Sequence, residues 1–329
     1  MHPTTATLLA LTALATHTAA HGYVRTWTLD GVSFNGYSRS DGNPKPDAIG
    51  WSFTTPDEGP ELDLTSPNFA CRSGGAPASS SGQVAAGGTA TFLWTSDDKS
   101  INPDGWSAGH RGPIMTYIAP CNGPCSSIAD ASTLKWTKIA EQGVTGPANT
   151  QGIWATDQMR ANGGVAAATI PSSIAPGEYV LRNEIIALHR AHLSEPEFYM
   201  QCGNIEVTGS GTDDLSGQGV VASQLYSTSD EQIFGFSVYD NRGDGSEWIV
   251  PGPALYGGAA AAGAGNGTAT PSTLPTGTAP STVAGSQPGS TIVPSILPTA
   301  FPSNNGDPPA SGNPWQSGRP RGSGRYGQY

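Results

Sequence analysis

Glu178-Tyr179-Val180-Leu181-Arg182-Asn183-Glu184-Ile185-Ile186-Ala187-Leu188-His189 follows a Pro176-Gly177 turn signal and alternates with period two. A strand with that period places Tyr179, Leu181, Asn183, Ile185, Ala187 and His189 on one face. Downstream, Glu197-Phe198-Tyr199-Met200-Gln201-Cys202 repeats the pattern. There Glu197, Tyr199 and Gln201 share one face, and Phe198, Met200 and Cys202 share the other. Working outward, similar runs occur at Tyr23–Leu29, Gly88–Thr95, Ile114–Ile118, Leu134–Ile139, Gly164–Ile170 and Phe234–Tyr239. Turn pairs such as Asp30-Gly31, Asn35-Gly36 and Asp41-Gly42 punctuate them. No long helical periodicity interrupts the series. The pattern predicts an all-β fold, an antiparallel β-sandwich of immunoglobulin or fibronectin type with long loops. The connections Ser38–Glu58 and Asp97–His110 exceed ordinary loop lengths, which points to a functional surface.

The ends of the chain read differently. Residues 1–20 carry an apolar run from Leu8 to Ala15 and close on Thr18-Ala19-Ala20, as a secretory signal peptide does. Cutting after Ala20 puts small residues at the last and third-last positions and makes His21 the new amino terminus. A free α-amine and Nδ1 of the same histidine can close a six-membered chelate, a donor set that suits Cu(II). Beyond Gly257 the composition shifts to Gly, Ala, Ser, Thr and Pro with few apolar anchors. Residues 258–329 are therefore expected to form a disordered tail carrying the sequon at Asn266. The domains are thus a leader over 1–20, a sandwich over 21–257 and this tail.

Of the 329 residues, 15 are Lys or Arg and 26 are Asp or Glu, a net charge of −11. No basic cluster precedes the C-terminus, which argues against nucleic acid and anionic membranes as partners. An acidic surface suits a secreted monomer and does not repel a neutral polysaccharide. Four cysteines in a secreted chain read as two disulfides with three possible pairings. The short turn between Cys121 and Cys125 favours their pairing, which leaves Cys71 with Cys202. No cysteine then remains for a disulfide-stapled cellulose-binding module in the tail.

Six histidines are present, and His2 and His17 leave with the leader. His110 lies in Gly109-His110-Arg111-Gly112-Pro113 ahead of an apolar strand, where it can be a rigidly held ligand or a surface turn residue. Paired carboxylates for glycoside hydrolysis are conceivable, but the sequence singles out no pair.

Together, His21-Gly-Tyr-Val24, His110-x-Gly112-Pro113, Cys121-Asn-Gly-Pro-Cys125, Ala175 to His189, Phe198-Tyr-Met-Gln-Cys202 and Ile249-Val-Pro-Gly-Pro253 appear in a telling order. The chain resembles the fungal lytic polysaccharide monooxygenases of auxiliary activity family 9, once glycoside hydrolase family 61, over residues 21–256. The resemblance implies one copper ion held by the amine and Nδ1 of His21 and a ring nitrogen of His110, with Tyr199 axial. It implies that His189 and a neighbouring glutamine hydrogen-bond the oxidant. This chain has Glu197 in the glutamine's place, with the intervening segment one residue shorter. Trp248, and with it Trp106, would meet sugar rings. The implied activity is oxidative cleavage of cellulose or a related β-1,4-glucan at C1, C4 or both, using O₂ or H₂O₂ and an external electron donor. The rivals are a non-catalytic copper-binding or cell-wall protein and a carboxylate hydrolase. His192 has no counterpart and reads as a solvated loop residue.

Overall fold

The computed structural model describes residues 22–37, 45, 47–55, 58–96, 105–240 and 248–257. The leader, His21, Asn266 and the tail over 258–329 lie outside the described residues, as do parts of both long loops.

The structure is a β-sandwich. A four-stranded sheet orders β2 (Val32–Asn35), β1 (Tyr23–Leu29), β4 (Thr89–Thr95) and β9 (Val165–Thr169). A five-stranded sheet orders β3 (Gly82–Ala85), β11 (Glu197–Thr208), β10 (Gly177–Ala187), β5 (Ile114–Pro120) and β6 (Thr137–Gln142). A small ribbon joins β7 (Val144–Thr145) to β8 (Ile153–Trp154). The pairings are antiparallel except β3 with β11. Asp30 and Gly31 both take positive φ, 46° and 84°, in the two-residue turn between β1 and β2. That is what a twisted tight hairpin demands, and an Asp-Gly pair supplies it.

Strand β10 runs up the centre of the five-stranded sheet, with Ile185 opposite Tyr199 and Ala187 opposite Glu197. Both of its faces are covered. Leu181, Ile185, Tyr199 and Ile205 meet Val24, Trp27, Phe92 and Trp94 of the other sheet. Asn183 crosses that interior: it accepts from Trp94 Nε1 at 2.7 Å and donates to Thr116 Oγ1 at 3.0 Å. On the opposite face Val180, Ile186, Phe198 and Met200 are roofed by loops carrying Trp51, Phe69, Trp136 and Tyr226. Disulfide Cys71–Cys202 ties one roof loop to β11, and Cys121–Cys125 closes a local turn.

Three elements differ from expectation. Phe234–Tyr239 forms turns: Phe234 N–H bonds Asp230 O at 2.8 Å, and Gly235 takes φ 83°. Its alternation reflects a loop pressing Ile233, Phe236 and Val238 onto the core. The run from Leu134 becomes a strand only at Thr137, because Asp130 caps a short turn over Ala131–Thr133. Helix α1 (Ala155–Ala161) is too short to announce itself by period, and Asp157 accepts from Trp154 N–H at its start. Among the described residues no helix is long and apolar enough to cross a membrane.

Candidate metal centre

Three of the expected site residues meet where β10 ends and β11 begins. The register sets Glu197 opposite Ala187, so His189, two residues past Ala187, comes beside it. Period two then keeps Tyr199 on the face of Glu197. His110 arrives from elsewhere in the chain. Its loop lies directly on β10, with Leu188 N–H bonding Arg111 O at 2.8 Å. Gly112 permits this approach, since a Cβ there would fall 1.7 Å from Ile186 O. Trp106 Nε1–H donates to His110 O at 2.9 Å and fixes the loop from behind.

The geometry is tight. The rings of His110 and His189 stack with centroids 4.0 Å apart at 30°. His110 Nε2 lies 3.2 Å from Glu197 Oε2, and His189 Nε2 lies 3.5 Å from Glu197 Oε1. Tyr199 donates its hydroxyl to Glu197 Oε2 at 2.6 Å. Nδ1 of both histidines is buried without a hydrogen-bond partner.

Electrostatics sharpen the picture. Burial favours a neutral Glu197, but hydrogen bonds from His110 and Tyr199 and the charges of both histidines outweigh it, bringing the carboxyl down to about 2. Glu197 is therefore held as a carboxylate. Burial, reinforced by His110, lowers His189 to about 4, so its ring is neutral near pH 7. Burial and the Glu197 charge push Tyr199 well up, and its hydroxyl stays protonated.

The chain enters the site at Gly22, packed so closely that a Cβ would meet Thr95 O at 3.0 Å and the Trp106 ring at 3.1 Å. Arg72, buried beside Cys71, donates to Gly22 O at 3.1 Å and Gly59 O at 2.8 Å and also bonds Glu58 O. It therefore clamps the backbone next to His21. Sequence reasoning passed over Arg72, because nothing in its neighbours marks it as buried.

A metal fits the residues present. Two imidazoles and a carboxylate form a nitrogen and oxygen donor set, and the ligand atoms of His110, His189 and Glu197 all lie within 4.8 Å of one another. The aromatic calls are corrected. Trp106 is 1% exposed and Trp248 7% exposed. Trp248 packs edge-on against Trp154 at 5.0 Å, and Trp106 against Tyr199 at 5.0 Å, so both are core residues. Among the described residues the exposed aromatic is Tyr239, 58% accessible, whose ring meets exposed His192 at 5.5 Å. Its place in the Asp- and Gly-rich stretch after Val238 was the available signal, and the alternation reading obscured it.

A family model described as Auxiliary Activity family 9 (formerly GH61) matches residues 21–247. AA9 family lytic polysaccharide monooxygenase B of Aspergillus fumigatus is 40% identical over 257 residues, 76% of this chain and 96% of that protein. AA9 family lytic polysaccharide monooxygenase A of Thermoascus aurantiacus is 39% identical over 246 residues, 72% of this chain and 100% of that protein. Among solved structures, the extended catalytic domain of H. jecorina LPMO9A superposes with a TM-score of 0.63 at 32% identity, covering 72% of this chain and 92% of that one.

Proposed function

The chain belongs to Auxiliary Activity family 9 (formerly GH61), and on that premise we propose that it is a secreted copper monooxygenase cleaving β-1,4-glucan, foremost cellulose. Removal of residues 1–20 would free His21, residues 21–257 would form the catalytic domain, and residues 258–329 would follow it as a glycosylated tail. The observation that supports this reading best is that His110, Tyr199 and Gly22, the residue after His21, all pack against the ring of Trp106.

The amine and Nδ1 of His21 and a ring nitrogen of His110 would hold the copper, with the Tyr199 hydroxyl beside it. Copper bound there would supply one-electron chemistry that activates O₂ or H₂O₂, drawing on an external reductant, for attack at C1 or C4. The chain's own residues set the surroundings. Tyr199 stays a neutral phenol because burial and the charge of Glu197, to which its O–H donates, disfavour the phenolate. His189 offers a neutral ring. Ionised Glu197 adds negative charge, which favours Cu(II) over Cu(I) and lowers the reduction potential relative to a glutamine. Tyr239 and His192 offer an exposed aromatic edge for sugar rings.

Mass spectrometry of products from amorphous cellulose tests the reading. Oxidised oligosaccharides should form only with copper and reductant together, and one extra residue left before His21 should abolish them. Unmodified reducing ends would mark a hydrolase, and no release at all a binding protein.

A further inference from the structure

We propose that Thr156, Asp157 and Arg160 of helix α1 are positioning residues, which grip the loop Trp106–Pro113 and thereby set the place of the His110 ring. This rests on the monooxygenase reading only for the metal that His110 would hold. The loop needs such a grip. Ala108 and Gly109 are exposed, and a Cβ on Gly109 would meet only Ser107 Oγ, at 3.9 Å. Within the loop His110 N–H bonds Ser107 O at 3.1 Å, a single turn too small to fix a ring by itself.

The helix supplies the remaining anchors. Thr156, 1% exposed, bonds Gly112 twice. Its Oγ1 accepts from Gly112 N–H at 3.0 Å, and its own N–H donates to Gly112 O at 3.3 Å. Arg160 lies four residues on and so shares a helix face with Thr156. Its Nε–H donates to Trp106 O at 3.0 Å. Asp157 accepts from Arg111 Nε–H at 3.2 Å, and Arg111 Nη1–H reaches on to Thr150 O at 2.6 Å. His110 is thus bracketed by anchors at 106, 111 and 112. Strand β10 receives the same stretch from its other side, with Ile186 N–H bonding Pro113 O at 3.3 Å and Leu188 N–H bonding Arg111 O. The strand sets where the loop lies along the sheet, and the helix keeps it from lifting away.

A grip is useful only if it has its own footing. Ala155 and Met159 of α1 are buried in the core between the sheets, and Ala155 N–H bonds Gly143 O at 2.8 Å. The result is a ring with one defined pose, stacked on His189 and edge-on to Trp106 at 87°. A ligand ordered before the metal arrives loses less freedom on binding. Slackening the grip should therefore weaken and distort metal binding while the sandwich persists.

The test compares Thr156→Val, which removes the Oγ1 acceptor at nearly constant shape, and Arg160→Met with the parent chain beginning at His21. Gln158→Ala is the control, because on the same helix Gln158 bonds Gln142 and not the loop. In metal-free protein, amide exchange over residues 106–112 should quicken at least about tenfold in T156V while β5 and β10 exchange as before. The His110 ring resonances, displaced by the stacked His189 ring, should move as well. Cu(II) affinity should fall about tenfold and the electron paramagnetic resonance spectrum of bound Cu(II) should change. Thr156→Ser, which restores the hydroxyl, should recover both, and Q158A should alter neither. Should T156V fail to fold, R160M, whose side chain is partly exposed, carries the same comparison. If T156V and R160M lower stability but leave loop exchange, ring resonances and the copper spectrum as in the parent, α1 is packing alone and the proposal fails. A parent that binds no copper would overturn the monooxygenase reading instead, and the metal-free exchange and ring signals would still decide the role of α1.

Discussion

The two faces of the β10–β11 ladder each carry buried ionisable groups, and they treat them oppositely. On the roofed face Arg182 and Glu184 are both 0% exposed. They pair through two bonds of 2.8 and 2.9 Å, and Arg182 also donates to Ala70 O and Phe69 O. Tyr226 donates to Glu184 at 2.5 Å and shares a 2.8 Å hydrogen bond with Tyr117. Every polar atom of these four side chains has a partner. At the open end of the other face, His110 and His189 each leave a buried nitrogen unpartnered, and Glu197 gathers three donors around one carboxylate. A closed network spends its polar capacity on architecture. An incomplete one has capacity left for a ligand.

The sharpest way to break this comparison is Glu184→Gln. It leaves a fully buried guanidinium without its counter-charge, which costs about 3–5 kcal/mol. Denaturant unfolding should report that loss, and replacing Arg182 and Glu184 together by apolar residues should recover much of it. A loss under about 1 kcal/mol would mean the network is not closed. Whatever folded protein remains should bind metal normally, since the pair lies on the far face.

Arg72→Met probes the boundary between the two kinds of site. Arg72 is buried architecture, yet one of its bonds holds the carbonyl of Gly22. Copper affinity of the mature protein should fall roughly tenfold, in the range for a residue that positions a ligand. Arg72→Lys keeps the charge without the planar fork and should recover only part of it. With an extra residue before His21, the substitution should no longer matter for copper. If it weakens the extended and mature proteins alike, Arg72 acts only through stability.

The sandwich was legible because β1, β4, β9, β10 and β11 alternate over five or more residues. The facing of Glu197 and Tyr199 away from Cys202 followed from the same period. Short or partly exposed strands, β2 and β3, carry too few side chains to show one. The meeting of His110 with His189 rests on Gly112 lying against Ile186 O, a contact 74 residues apart in sequence that local pattern cannot contain. Trp248 was misjudged for a related reason. Whether an aromatic faces solvent or Trp154 depends on a loop packing that only tertiary structure fixes.

The smallest effect belongs to His189, and it follows from the incomplete network. Burial, then the neighbouring His110, lowers its ring to about 4 in the fold. The unfolded chain takes up that proton near 6.5. Between those values the unfolded state holds more protons than the native one, so stability must rise with pH across the window. The contribution is complete above about 6.5 and is progressively lost as pH falls toward 4. Glu197 acts lower down: its carboxyl is depressed to about 2, so its stabilisation is present above about 4.3 and is lost only as pH falls toward 2. Metal-free protein unfolded in urea at pH 7 and pH 4.5 should therefore differ partly through His189, by roughly 1 kcal/mol once solvent screening of a half-buried ring is allowed for. His189→Gln should flatten that upper slope by this amount and leave the acid limb below pH 4 in place. An unchanged slope between pH 7 and 4.5 would show that His189 accepts its proton as readily folded as unfolded, and that its end of the sheet is wetter than the structure places it.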